Sequence, residues 1–398
     1  MEVLLKICQY SSKIVRKTQK KNKSVGLVYI NDPGWTGGTD YVLNLLNALS
    51  YLPNEQRPDI KLFIDESVDS NALKSKIIYP KFKIVQIKKR RFSIQKLIYT
   101  LNIVNSLNNK KFDIIYPFPK NSYYQSYFAG VPSIARYYWI PDFQEEYFPM
   151  FFSEAELRKR RKTRDLILKN PENKVVFSSR AALCDALKYY PDSKAKTFIL
   201  HFANPAGLSF DKESSKSILS KYGVEEGEYF ISPNQFCKHK NHAILASTML
   251  ILKKQGLAKK ILLTGREQDS RDPDFFSNLK KSITSMGLED EIHFLGFLPK
   301  QELYTLMAYS KAMIQPSLFE GWSTTIEDAI AMNVPVICSD LDVNREQMGD
   351  AAIFFNPNDP NDLALCLIND EKMKRPYFDL DKRVLAFAQS FLALTEEK

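Results

Sequence analysis

With 398 residues, 44% apolar and 26% charged, the chain has the balance of a globular protein and room for two ordinary domains with a core each. No window approaches the roughly 18 uninterrupted apolar residues of a membrane-spanning helix. Five scattered cysteines without a CxxC pair argue against a disulfide framework and for reduced, buried thiols in a cytosolic compartment, and the net charge of +10 favours an anionic partner such as nucleotide sugar, anionic lipid or nucleic acid.

Residues 1–24 mix Leu4, Leu5, Ile7, Ile14 and Val15 with Lys13, Arg16, Lys17, Lys20, Lys21 and Lys23. The apolar core is too short and the charge order wrong for a secretory signal. Such a stretch suits a solvated basic end or contact with an anionic membrane surface. The first firm strand covers 25–30, followed by NDPGWTGG at 31–38 and a helix over 39–52 with Tyr41, Val42, Leu45, Leu46 and Leu49 on one face. Gly37 and Gly38 permit close approach of backbone to a ligand, or form a plain turn. Strand patterns at 60–64, 82–87 and 113–116 and a helix at 93–107 continue the alternation, which predicts parallel strands with crossover helices. The runs KKRR at 88–91 and RKRRKTR at 158–164 read as solvated rims or, together, as a basic face for membrane phosphates or an anionic acceptor. Between them WIPDFQEEYFPMFF, 139–152, is unusually aromatic for a surface loop. A strand at 174–178, a helix to 190 and a strand at 197–201 close this half, and FANPAGLSFDK, 202–212, reads as a linker.

The second half repeats the alternation from a strand at 229–232. PNQFCKHKNH, 233–242, opens a helix whose apolar face includes Ile244, Leu245, Met249 and Leu252. His239 and His242 have a spacing that suggests a metal, which Lys240 between them opposes. ILLTG, 261–265, ends a strand in Gly265, and IHFLGFLP, 292–299, is a strand running into a turn. Apolar runs at 312–314 and 334–338 then flank an amphipathic segment, giving strand, loop, helix, strand. The loop carries Glu320 and Gly321. Ser323, Thr324 and Thr325 stand where a helix begins with unpaired amides, an anion seat that suits phosphate. A helix from 359 to 368 and a last one, after Pro376, to 394 complete the chain.

The order Glu320, seven residues, Asp328, then Ala329, Val334-Pro335-Val336 and Ser339-Asp340 resembles the signature of glycosyltransferase family 4. Asp328 stands where that family usually has a second glutamate and Asn333 where it usually has glycine. The resemblance implies an α/β fold of GT-B type, with two Rossmann-like doubly wound parallel-sheet domains facing a central cleft. After a basic extension at 1–24, it makes 25–205 the acceptor-side domain, 206–375 the nucleotide-sugar-binding domain and 376–398 a helix crossing back to the first. It likens Gly37-Gly38 to the family's N-terminal glycine loop and WIPDFQ to its cleft-side segment, where Asp142 is the nearest polar candidate for an acceptor contact. Lys240 matches the lysine that contacts donor phosphates. Gln235 takes the place of a frequent arginine, with Lys238 as its substitute, and Phe297 and Leu298 fall in the loop that reads the nucleotide base. The implied activity is retaining transfer of a sugar from a nucleotide-diphosphate sugar to a glycan, lipid-linked or other hydroxyl acceptor, with no metal or other cofactor. UDP, GDP and ADP donors are all compatible. Asp340-Leu341-Asp342 has the form of a metal-binding DxD motif of a different architecture and is discounted by its place after the signature strand.

Breaking the glycosidic bond puts charge on the departing phosphate. Lys240 and the helix start at 323–325 are the groups positioned to stabilise it, and one preorganised donor at developing charge is worth about 3 kcal/mol. Asp328 has oxygens suited to ribose hydroxyls. Glu320 suits sugar hydroxyls or balances positive charge developing on the sugar ring. Gln235, Asp328 and Asn333 keep open a catalytically inactive donor-binding or scaffolding relative. A GT-B nucleotide-sugar epimerase would need further acids and bases, and a nucleic-acid partner a recognisable module, neither of which the chain offers. A cytoplasmic protein, peripheral on the inner face of a membrane if the basic segments attach, is the expected setting.

Overall fold

The structure, a computed structural model, describes residues 24–32, 34–87, 114–119, 128, 135–205, 210–257, 259–269, 271–369, 373 and 375–396. The basic stretch at 1–23, the KKRR run, the expected helix at 93–107 and residues 206–209 of the expected linker lie outside them.

Two all-parallel sheets organise the molecule. The first contains β1 (Ser24–Val28), β2 (Asp59–Asp65), β3 (Phe82–Ile87), β4 (Ile114–Tyr116), β5 (Ala135–Ile140), β6 (Lys174–Phe177) and β7 (Lys196–Ile199) in the order β3-β2-β1-β4-β5-β6-β7. The second contains β8 (Phe230–Pro233), β9 (Ile261–Thr264), β10 (Ile292–Gly296), β11 (Ala312–Gln315), β12 (Val336–Ser339) and β13 (Ala352–Phe355) in the order β10-β9-β8-β11-β12-β13. In each sheet the order reverses between the first strand and the fourth, which opens a crevice at the strands' carboxyl ends. The central strands carry near-continuous apolar runs because helices cover both faces: β9, β11 and β12 are buried throughout.

Four expectations change. The first helix spans Thr36–Ala48 and then tightens into a 3-10 turn at Leu49–Tyr51, so Gly37 and Gly38 lie in its first turn and not in a loop before it. The aromatic segment begins inside a strand: Trp139 and Ile140 end β5, which pairs with β4 and β6. Tyr and Trp fit a pleated, enclosed position, which a reading of the segment as loop overlooked. The run RKRRKTR lies on helix Glu154–Leu168, where each arginine meets a carboxylate, two of them at helical spacing and two from the segment before the helix. Arg158 pairs with Glu154, Arg160 with Glu156, Arg161 with Glu146, and buried Arg164 with fully buried Glu145, so these arginines form no free basic face. Fourth, Cys184 is exposed, unlike the buried thiols expected from the sequence.

The last helix, Leu380–Glu396, packs on the first domain. Val384, Phe387, Phe391 and Leu394 join one core with Tyr41, Leu45 and Tyr137, and Tyr137 OH donates to Leu394 O at 2.5 Å. Arg383 of the same helix donates at 2.9 Å to Glu327 of the second domain. A second tie joins the domains near Glu346, whose carboxylate accepts the backbone N–H groups of Arg180 and Ala181 at 2.7 and 3.2 Å and meets His201 Nε2 at 2.6 Å. The start of helix Arg180–Tyr189 is thus capped from the opposite domain. Burial raises the Glu346 pKa, but the His201 contact and the two amides outweigh it and hold the carboxyl below its usual range. The His201 ring stacks on Trp322 at 4.5 Å.

Candidate active site in the interdomain cleft

The carboxyl ends of both sheets face one cleft of about 1710 Å³. The segments following β1, β4 and β5 line one wall, and those following β8, β9, β10 and β11 the other.

Lys240 and Glu320 meet at the second wall. Lys240 ends a 3-10 turn, Lys238–Lys240, and is followed by Asn241 in the left-handed conformation, which redirects the chain into helix His242–Lys254. Its Nζ lies 2.6 Å from Glu320 Oε1, which also accepts from Gln315 Nε2 at 2.7 Å. Gln315 is fully buried at the end of β11, so its amide fixes the Glu320 loop. Leu318 N donates to His239 O at 2.8 Å and ties that loop to the lysine turn. His239 is half-buried, and desolvation together with the neighbouring charges of Lys240 and Arg271 pushes its pKa well below the ordinary value, so the ring is neutral.

The helix start after Glu320 is narrower as an anion seat than its sequence implies. Ser323 is the cap: its Oγ accepts Ile326 N at 3.2 Å, and its own N–H donates to Gln347 Oε1 at 3.1 Å. Ser323 is therefore buried and occupied. The N–H groups of Thr324 and Thr325, both lining the cleft, are the orphan donors of the first turn.

Close approach explains two of the predicted glycines. A Cβ on Gly265, at φ +158°, would fall 2.1 Å from Asn234 O, and one on Gly321 would fall 2.4 Å from Pro141 O of the opposite wall. Gly321 is where the two walls touch, beside Asp142. Asp142 lines the first wall; burial raises its pKa against the influence of Arg164, and Gln144 N donates to its carboxylate at 3.2 Å. Gly37 faces Thr324 across the cleft, while Gly38 is covered by the ring of Trp35.

The remaining predicted residues divide. Phe297 is exposed on the cleft wall, whereas the Leu298 side chain is buried in the core and can offer a ligand only its backbone. Asp328 does not line the cleft with the others: Asn204 Nδ2 and Tyr304 OH donate to its Oδ1 at 2.6 and 3.0 Å, and burial pushes its carboxyl up to about 6. One residue along a helix rotates the side chain by about 100°. Lys238 turns away to Asp272 at 2.9 Å and does not stand in for the arginine absent at Gln235.

The residue that sequence reasoning missed is Arg266. It follows Gly265 directly, lines the cleft and lies 5.0 Å from the Phe297 ring centroid, and its Nε is buried without a hydrogen-bond partner. Lys240, Arg160, Arg164 and Arg271 all hold carboxylates, so Arg266 is the one cleft cation among the described residues without one. Its place just past a strand-ending glycine was the available signal. No group of three or more His, Cys, Asp or Glu that could hold a metal ion occurs among the described residues.

Two doubly wound domains with their sites at one shared crevice define a GT-B protein. Residues 214–375, somewhat under half of the chain, match the family model of glycosyl transferases group 1. O-antigen chain mannosyltransferase RfbU of Salmonella typhimurium is 26% identical over 183 residues, covering 46% of this chain and 48% of that protein. O-antigen chain mannosyltransferase B of Escherichia coli is 37% identical over 71 residues, covering 18% and 19%. The matched segments thus span about half or less of these relatives. Among solved structures, Anabaena HepE in complex with UDP and glucose superimposes with a TM-score of 0.63 at 17% identity, covering 94% of this chain and 97% of that one. A glycosyltransferase from Rickettsia africae gives 0.62 at 16% identity, covering 94% of each. The solved structures share the fold along nearly the whole chain, and the likeness to group 1 glycosyl transferases lies in residues 214–375. Among the described residues no helix is long and apolar enough to cross a membrane.

Proposed function

We propose that the protein is a retaining glycosyltransferase of family 4 that moves a hexose from a nucleotide-diphosphate sugar to a hydroxyl acceptor without a metal ion. The observation that carries this reading is the Lys240–Glu320 pair beside the open amides of Thr324 and Thr325 at the end of the cleft. A bound diphosphate takes the Lys240 ammonium and the two amides, which stabilise the charge that appears as the bond from sugar C1 to the phosphate oxygen breaks. Glu320, still held by Gln315, is freed to accept from sugar hydroxyls. The acceptor oxygen bonds to C1 on the face the diphosphate leaves, and the acceptor proton passes to the departing phosphate. Arg266 adds a second cation on the nucleotide side, next to Phe297, which can pack on a base. Mannosyl donors are the first to examine, since both curated relatives above are mannosyltransferases; UDP-sugars follow from the ligands of HepE.

A screen of labelled nucleotide sugars for binding and slow hydrolysis identifies the donor. Lys240→Ala and Glu320→Ala each lower its turnover by about 100-fold with the fold retained. Full turnover in both variants, or turnover abolished by a chelator and restored by manganese, defeats the reading.

A further inference from the structure

The indole of Trp35 stands on the first wall of the cleft at the entry to helix Thr36–Ala48 and keeps 40% of its surface open. Large apolar rings normally bury such area, and here the ring is held open by its support. It stacks on Trp139 with centroids 5.3 Å apart and planes 15° apart, and Trp139 stacks in turn on buried Tyr41 at 4.0 Å and 10°. A Cβ on Gly38 would lie 2.6 Å from the indole Cε3, so that glycine is the seat on which the ring rests. Trp35 N donates to Asp32 O at 2.9 Å, and Gly38 N to Trp35 O at 3.2 Å, which fixes the turn beneath it. The ring is a rigid flat face whose position costs little ordering on binding.

Its neighbours decide what that face suits. Gly37 packs between the indole Nε1 edge and Thr324, so the platform lies beside the helix start assigned above to the departing phosphate. The polar groups on the same wall include the carboxylates of Asp32 and Asp142 and the amide of Gln144. Carboxylates repel a phosphate and accept from hydroxyls. An apolar plate fringed by hydroxyl acceptors matches the C–H face and rim of a neutral pyranose. A nucleotide finds an aromatic face for its base and a cation for its phosphates on the other wall, at Phe297 and Arg266.

We propose that Trp35 is the stacking platform for a pyranose ring of the acceptor, so that the hydroxyl receiving the transferred sugar belongs to a saccharide. The assignment rests on the transferase reading and adds the acceptor class to it. Trp139 and Trp322, the other tryptophans, are 6% and 8% exposed, so a change in tryptophan emission on adding sugar reports chiefly on Trp35.

Wild-type protein is titrated with methyl α-mannopyranoside, methyl α-glucopyranoside, mannobiose and maltose, with and without UDP or GDP. Saturation transfer to the ring protons of each sugar is then compared in wild type, Trp35→Phe, Trp35→Leu and Trp35→Ala. Expected are a saturable emission change with at least one sugar, at least tenfold weaker binding in Trp35→Ala and Trp35→Leu, most of the binding kept in Trp35→Phe, and nucleotide affinity within twofold throughout. Trp35→Leu keeps apolar contact with Trp139 and covers the case in which the alanine variant does not fold. The platform is overturned if no sugar gives a saturable response, if the leucine variant binds sugar like wild type, or if nucleotide affinity falls in parallel, which assigns Trp35 to the donor. Failure of wild type to bind any nucleotide or nucleotide sugar instead sinks the transferase reading.

Discussion

Arg266 and Asp328 show how far one residue's neighbours decide its role. Arg266 has a buried, unpartnered Nε and no carboxylate among the described residues, so its positive charge awaits an anion. A charge-assisted hydrogen bond contributes about 2 kcal/mol, or about thirtyfold in affinity. Arg266→Ala should therefore weaken UDP or GDP binding by that factor while leaving the free nucleoside nearly unaffected. Calorimetry on both ligands checks this, and equal losses for nucleoside and nucleotide would make Arg266 a base contact. Asp328 offers a prediction of opposite sign. Its carboxyl is raised by burial to about 6, so the folded state holds a proton that the unfolded chain releases near its ordinary value. The ionised side chain therefore costs stability, in full above pH 6, and the cost shrinks as the pH falls from the folded value towards the ordinary one. For a half-buried group it amounts to about 2 kcal/mol. Asp328→Asn should raise the melting temperature at pH 7.5 and change it little at pH 4.5. A variant less stable at pH 7.5 would mean that the bonds from Asn204 and Tyr304 need the charge.

At the scale of elements, local pattern was legible where period and caps agreed. The unit from β11 through helix Thr324–Ala331 to β12 stands where its apolar runs and its Ser323 cap imply. Lys240, Glu320, Gly265 and Gly321 could also be picked from the chain and do come together at one cleft. What the sequence could not reveal depends on contacts between distant segments. Helix Glu154–Leu168 looks basic in one dimension, but Glu145 and Glu146, which neutralise Arg164 and Arg161, lie outside it. Likewise nothing near Asp328 announces Asn204, more than a hundred residues earlier, as its partner. Gly321 gives the element-scale test. Alanine there would drive its Cβ to 2.4 Å from the Pro141 carbonyl, and backbone on both sides leaves no flexible side chain to yield. The walls must part by roughly an ångström, a misplacement that can cost about 100-fold in rate. Gly321→Ala should thus lose most turnover while its thermal midpoint stays near wild type; unaltered turnover would show that the walls need not touch there.

Across the whole molecule, helix Leu380–Glu396 makes the first domain dependent on a segment that follows the second. Phe391 is fully buried among Tyr116 and its neighbours, with ring centroids 5.6 Å apart. Phe391→Ala should destabilise the protein by about 4 kcal/mol. Urea unfolding followed by near-UV circular dichroism measures it, and a loss below about 1 kcal/mol would mean the helix is only loosely docked.

That helix also bears on how the protein is made. Domains generally fold in the order in which they leave the ribosome. Here the amino-terminal sheet emerges first yet lacks Val384, Phe387 and Phe391, so the face meant for them stays uncovered through synthesis of the entire second domain. A nascent chain stalled before residue 380 should present that bare surface to chaperones, and only the emergence of helix Leu380–Glu396 from the exit tunnel would seal it.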